Sequence, residues 1–299
     1  MLDAIIVGAG PAGLTAAIYL SRFHRQAVVI DGGESRARWI PESHNIPGFS
    51  RGVGGLQFLA QLREQAVRYG ADIHRAHADA ITRLDSGFRV QTESTTLTGR
   101  FVVLATGVRD QLPGLPGEQA ALLRGVLRMC PICDAFEVTG KRIAVIGSGA
   151  HAEQEARFLR DYSDSVTLVH IGKQRDSTVC RELESAGIGF IAARLEDLQF
   201  EASGLALSRP DGKSSNFDVA YCALGCDPMS DLALMLGADV DESGALRVNA
   251  HQQTTVEGLY AAGDLVRGLS QIVVAAAEAA IASADIHNRL RGAIRSRSE

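Results

Sequence analysis

Cys130-Pro131-Ile132-Cys133-Asp134, near the middle of the 299-residue chain, is the stretch best equipped for chemistry. Two cysteines at this spacing close a small disulfide and reopen it, because a turn or helix start lowers the thiolate pKa of one of them. A carboxylate follows the pair directly. Half of a zinc site and a purely structural pair are the alternative readings of the pentapeptide. Zinc takes three or four protein ligands in such sites, and Cys180, Cys222 and Cys226 form no second CxxC. Cys222 falls on an apolar strand and Cys226 just beyond it, as core or strand-end residues, and Cys180 falls on a helix face.

The elements around the pentapeptide form a pattern that occurs twice. Asp3 to Val7 is a short apolar run, followed by Gly8-Ala9-Gly10-Pro11-Ala12-Gly13 and then by helical periodicity from Leu14 to Leu20. In such a strand–turn–helix, Gly8 permits the tight turn, Gly10 lets a pyrophosphate approach the backbone, and Gly13 lets the helix pack on the strand. A second strand, Ala27 to Ile30, ends in Asp31, an acceptor for a ribose hydroxyl. Beyond the CxxC, Arg142 to Ile146 leads into Gly147-Ser148-Gly149-Ala150-His151-Ala152, a helix, and a strand that ends at His170. Asp31 follows Gly8, and His170 follows Gly147, by the same 23 residues, so the halves are equivalent in register. Where the first half carries an acid, the second carries His170 followed by Lys173 and Arg175, cations suited to a 2′-phosphate or to a solvated turn.

Length and composition agree with two nucleotide-binding domains. The chain is 46% apolar, and its 35 acidic and 30 basic residues give a formal charge of -5, which speaks against a polyanion-binding surface. No apolar run reaches the roughly 20 residues of a membrane span, and the amino end lacks a signal-peptide pattern. The chain therefore reads as cytoplasmic, with nucleic acid and membrane excluded as partners. In a reducing compartment a CxxC is catalytic or metal-binding rather than a staple. Gly32 to Gly55 reads as a loop, and Leu112 to Gly117 as a proline–glycine connector at a domain boundary. An alanine-rich helix from about Ser270 to Leu290, apolar nearly all round, reads as buried. The fold class is α/β, with two Rossmann-like three-layer domains, the second inserted in the first. The expected boundaries are 1–114 and 245–299 for the first domain and 115–244 for the second.

The GxGxxG, Asp31, an Ala105-Thr106-Gly107 strand end, the CxxCD just ahead of a GxGxxA, and Ala262-Gly263-Asp264 together resemble the low-molecular-weight thioredoxin reductase family, in the same order over essentially the whole chain. The resemblance implies bound FAD, with the pyrophosphate at Gly8, Gly10, Pro11, Ala12 and Gly13, and the ribose near Asp31 and Gly32. Arg38, Asn45, Ala80, Ala105, Thr106, Gly107, Gly263, Asp264, Gln271 and Ile272 complete the implied FAD set. Gln271 and Ile272 open the last helix, whose N-terminus would stabilise charge at the pyrimidine edge. The implied NADPH set is Gly147, Gly149, His151, Ala152, Lys173 and Arg175. The resemblance further implies that Cys133 faces the flavin, that Cys130 exchanges with the substrate disulfide, and that Asp134 manages the thiol protons. This suits a carboxylate whose pKa burial raises, although an Asp at this place can also cap a helix. A thioredoxin-like protein or a small disulfide or dithiol is the implied substrate, and a homodimer the implied assembly.

Two departures bear on the electron donor. The family pattern His-Arg-Arg-x-x-x-Arg begins at His170, but Ile171, Gly172 and Asp176 occupy its three arginine positions. Arg36-Ala37-Arg38-Trp39 stands where the family usually has Gly-Gly-Gln-Leu. Besides a non-enzymatic redox sensor or binding module that keeps flavin without turnover, two enzymatic readings follow. One is an FAD-dependent disulfide reductase fed by NAD(P)H, with the second domain turning about connectors near 112–118 and 243–246. The other is a flavin-dependent dithiol oxidase, or a reductase fed by another electron carrier.

Overall fold

The computed structural model describes residues 1–172, 177–209 and 211–295. In chain order the first elements are β1 (Leu2–Val7), α1 (Pro11–Arg22), β2 (Ala27–Asp31), α2 (Gly55–Arg68), β3 (Asp72–Arg75), β4 (Ala80–Leu84), β5 (Gly87–Gln91) and β6 (Thr96–Leu104). A short strand, β7 (Val108–Asp110), leads to α3 (Glu118–Leu123), β8 (Leu127–Arg128), α4 (Pro131–Asp134), β9 (Ile143–Gly147), α5 (Gly149–Arg160), β10 (Val166–Ile171), α6 (Ser177–Ser185) and β11 (Gly189–Ala193). There follow β12 (Leu198–Phe200), β13 (Leu205–Ser208), β14 (Ser214–Phe217), β15 (Val219–Ala223), β16 (Cys226–Pro228), α7 (Asp231–Leu234), β17 (Leu259–Ala261) and α8 (Ile272–Arg295).

Two compact units result. The first comprises residues 1–38, 55–109 and 227–299, and the second residues 39–54 and 110–226. The chain returns to the first unit at Asp227, ahead of the expected 245, because Leu232, Ala233, Ala238 and Leu246 share a core with Ile5, Val7 and Val102. The expected connectors at 112–118 and 243–246 thus lie inside the second and first unit respectively. Residues 39–54 leave the first unit's sequence segment and cluster with the second. Each unit is closed at the break: in the first, Met229 N–H donates to Gly107 O at 2.9 Å, and in the second, Gln111 N–H donates to Gly225 O at 2.9 Å.

The first unit is built on a sheet in the order β3-β2-β1-β6-β5-β4, with β17 also pairing with β6. β1 is central and parallel to both β2 and β6, which explains its continuous apolar sequence: both faces are covered. Strand alternation sends Ala4 and Ile6 to one face and Ile5 and Val7 to the other. On the first of these faces α1 and α8 pack together through Ala16, Ala17 and Leu20 of α1 and Ala275, Ala279, Ala282, Ile286 and Leu290 of α8. That spacing is a single helical stripe. Val273 and Ile281, off the stripe, are exposed, so α8 is not buried all round as its composition suggests. No helix among the described residues is long and apolar enough to cross a membrane.

The second unit repeats the design with the parallel order β11-β10-β9-β15-β8 and adds an antiparallel sheet of β12, β13 and β14. β9 takes the place of β1 and α5 that of α1. The register pairs Tyr221 of β15 with Arg128 of β8. Placing a leucine at Ala279, in the α1–α8 seam, is expected to lower stability by about 1–3 kcal/mol through overpacking. Leucine at the exposed Ile281 of the same helix should stay within about 0.5 kcal/mol of the parent. Urea unfolding of the two variants measures the contrast.

Candidate active site

Residue types and local geometry explain why the CxxC closes. Pro131 pre-sets the first helical position of α4, Cys130 caps it in an extended conformation, and Cys133 N–H donates to Cys130 O at 3.0 Å. One helical turn puts residues i and i+3 on the same side. The two cysteines are joined in a disulfide, with their Cα atoms 5.3 Å apart. Within the second unit a cavity of about 360 Å³ is lined by His44, Asn45, Ile132, Cys133, Asp134, Phe136 and Tyr162, among others. Asn45 is oriented by Ser43, whose hydroxyl donates to Asn45 Oδ1 at 3.0 Å.

Asp134 ends α4 and does not cap it. Its carboxylate is held from two sides: Arg128 Nη1 lies 2.7 Å from Oδ2, and the Tyr221 hydroxyl donates to Oδ1 at 2.7 Å. Removing a carboxylate from water is costly unless donors replace the lost hydration. Burial pushes the Asp134 carboxyl above its ordinary value, and Arg128 and Tyr221 pull it back part of the way. Tyr221 is itself pushed up, first by burial and then by the charge of Asp134, so it remains a donor. Cys222, on the same strand, is buried, and its thiol is pushed up to about 12, mainly by burial. It stays neutral and belongs to the core, while Cys226 is exposed at the start of β16 and Cys180 is part-buried on α6.

The first unit holds a cradle at the amino end of α1. A Cβ on Gly8, where φ is +108°, would lie 2.2 Å from Ala105 O, and one on Gly13 would lie 1.8 Å from Gly8 O. Only glycine permits this approach of helix to strand. Gly10 is the N-cap, Pro11 follows it, and no side chain caps the helix, so the first N–H groups, that of Ala12 among them, are available to an anion. Gly263 adjoins the same place: a Cβ there would be 3.1 Å from Ala12 Cβ, and its N–H donates to Glu278 Oε2 at 2.7 Å. The residues therefore fit a dinucleotide pyrophosphate. Asp31 is buried, accepts the Gly33 N–H at 2.7 Å, and is paired with Arg63 and, at 3.7 Å, Arg75.

The other expected FAD residues of the first unit lie on several of its elements. Arg36 pairs with Asp264 at 3.0 Å, and Arg38 Nη1 donates to Gly33 O at 3.2 Å, beyond Gly32. The Thr106 hydroxyl donates to Met229 O at 2.7 Å, between Ala105 and Gly107. Ala80 begins β4, and Gln271 and Ile272 stand at the start of α8. In the second unit α5 likewise lacks a side-chain cap after Gly147 and Ser148; Gly149 begins it, and Ala152 is buried. His151 is drawn to Glu155 at 3.3 Å, and His170 lies in β10 with its ring edge-on to Phe190. Lys173, Arg175 and Asp176 fall outside the described residues.

Two residues of this site escaped the sequence reading, Arg128 and Tyr221. A guanidinium and a phenol on otherwise apolar strands, one of them two residues ahead of the CxxC, were the available signal.

Residues 2–279 match the family described as pyridine nucleotide-disulphide oxidoreductase. The chain is 35% identical to the thioredoxin reductase of Mycolicibacterium smegmatis, covering 95% of this chain and 94% of that protein. It is 33% identical to the bifunctional thioredoxin reductase/thioredoxin of Mycobacterium leprae, over 95% of this chain and 64% of that one. Among solved structures, that of HlmI superposes with a TM-score of 0.87 at 27% identity, covering 99% of this chain and 96% of the other.

An acid raised by burial favours folding while it is protonated. The Asp134 contribution to stability is therefore complete below the ordinary value of 3.8 and is lost as pH rises through the higher folded value. Infrared difference spectra against Asp134→Asn should show a protonated carboxyl persisting above pH 3.8. Its disappearance at or below that pH would contradict the burial argument.

Proposed function

Because the chain belongs to the pyridine nucleotide-disulphide oxidoreductase family, in its thioredoxin reductase branch, we propose that electrons from NAD(P)H pass by way of FAD to the Cys130–Cys133 disulfide and on to a thioredoxin-like protein. The chain is a flavin-dependent thiol-disulfide oxidoreductase. One observation carries the finer reading: a closed disulfide whose Cys133 lines a cavity that is also lined by the buried, doubly held carboxylate of Asp134. The fusion named in the Mycobacterium leprae relative supports the choice of a thioredoxin-like acceptor.

FAD supplies a two-electron carrier between a nicotinamide hydride and a disulfide. The uncapped amino end of α1, with Gly8, Gly10 and Gly13, would hold its pyrophosphate. Asp31 would hold a ribose, Asp264 the ribityl chain, and Gln271 and Ile272 the ring. The uncapped end of α5 would bind the nicotinamide dinucleotide through Gly147 and Gly149. Opening the Cys130–Cys133 bond consumes two electrons and two protons, and the reverse step releases them. Asp134 holds one of those protons beside Cys133. Cys130, on the other side of the pair, meets the substrate disulfide.

A second reading concerns the donor. Ile171 is a half-buried strand residue and Gly172 has no side chain, so neither supplies the cation that the family pattern places there. This favours a dithiol or another electron carrier as the partner on the flavin side.

Anaerobic addition of NADPH is expected to bleach the flavin absorbance. Cys133→Ser should keep that bleaching yet lose disulfide reduction on the order of 10³-fold. Bleaching by dithiols but not by NADPH or NADH would establish the second reading. A protein that no donor bleaches would sink both.

A further inference from the structure

The set of groups around Asp134 reaches beyond the CxxCD motif. Arg128 and Tyr221 are register partners on the parallel strands β8 and β15, and each takes a different oxygen of the same carboxylate, at 2.7 Å. Arg128 is anchored in turn by its Nε, which donates to Gly125 O at 3.0 Å. Tyr221 is fully buried, and the Arg128 side chain is 16% exposed, so neither is an adventitious surface contact. With both oxygens held, the carboxyl group cannot turn about its own axis, and each oxygen keeps a lone pair for a further proton. Asp134 and Cys133 are neighbours in the chain and line the same cavity.

We propose that Arg128 and Tyr221 are positioning residues for the thiol–disulfide reaction, holding the Asp134 carboxylate in the one orientation in which it gives and takes the proton of the Cys130–Cys133 pair. The inference rests on the reading of that pair as the redox centre. In the step concerned, the S–S bond breaks and two electrons arrive from an external dithiol, which closes to its own disulfide and releases two protons. The two cysteine sulfurs bind two protons, one from solvent and one from the Asp134 carboxyl, which is left as a carboxylate between its two donors. The charged and titratable groups facing that carboxyl are Arg128, Tyr221 and Glu137, together with the two thiols once they form. Both donors stabilise the ionised form, so removing either moves carboxyl ionisation to higher pH.

The test uses the flavin-loaded protein reduced anaerobically with dithiothreitol, following the rate of thiol alkylation by iodoacetamide against pH. The wild-type profile is expected to carry an inflection that Asp134→Asn lacks. Tyr221→Phe, which deletes only a hydroxyl, should move that inflection upward by about one pH unit, about a tenfold change in rate at fixed pH. Arg128→Met should move it further, and Arg128→Lys should restore part of the shift. Should Arg128→Met fail to fold, Tyr221→Phe alone decides. An inflection that stays in Asp134→Asn, or one that Tyr221→Phe leaves in place, would overturn the proposal. So would variants that melt at lower temperature with an unmoved inflection, the mark of a purely structural contact. Alkylation requires no electron transfer from a nicotinamide, so a chain that failed to accept NADPH would refute the electron route while leaving this result readable.

Discussion

A carboxylate withdrawn from water must be given other donors, and the second unit is arranged around meeting that requirement beside a disulfide. Asp134 sits at the end of a single helical turn, too short to fix anything by itself. Its surroundings come from elsewhere: the two-residue strand β8 brings Arg128, and the buried strand β15 brings Tyr221. The parallel pairing of those strands is what sets both donors on the same carboxylate. The chemistry assigned to the CxxC thus depends on sheet register as much as on the cysteines.

The first unit solves a different electrostatic problem by leaving one unsolved. The amino end of α1 is not capped by any side chain, and glycines press it against β1 and the end of β6. Its free N–H groups and the positive end of the helix dipole are then left for an anionic ligand. Asp31 has cationic partners of its own in Arg63 and Arg75, and Asp264 has Arg36. Under the proposed FAD assignment, the acids that would meet the ribose and ribityl hydroxyls are already held in place by arginines.

What could be read from the chain divides along a physical line. The β1–α1–β2 and β9–α5–β10 repeats were legible because local constraints write them: a doubly buried strand must be continuously apolar, and close helix packing needs glycine or alanine. The CxxC was legible for the same reason, since its closure depends on one turn of chain. Tyr221 and Asp134 are 87 residues apart, and nothing in either neighbourhood announces the contact, which exists only once β15 lies beside β8. The α8 stripe was obscured because alanine is equally at home on both sides of a helix. The unit boundaries were displaced for a related reason: proline and glycine mark turns, but core sharing decides membership. Leu232 and Leu246 belong with Ile5 whatever punctuation lies between them.

The way the chain is closed at the break has an evolutionary side. Gly107 and Met229 are hydrogen-bonded to one another in the first unit, as are Gln111 and Gly225 in the second. Each half is therefore a finished fold whose loose ends already meet. The 110–226 segment can thus be entered and left without tearing either sheet, but residues 39–54 also belong to the second unit, so an exchange of that unit would have to carry this loop as well.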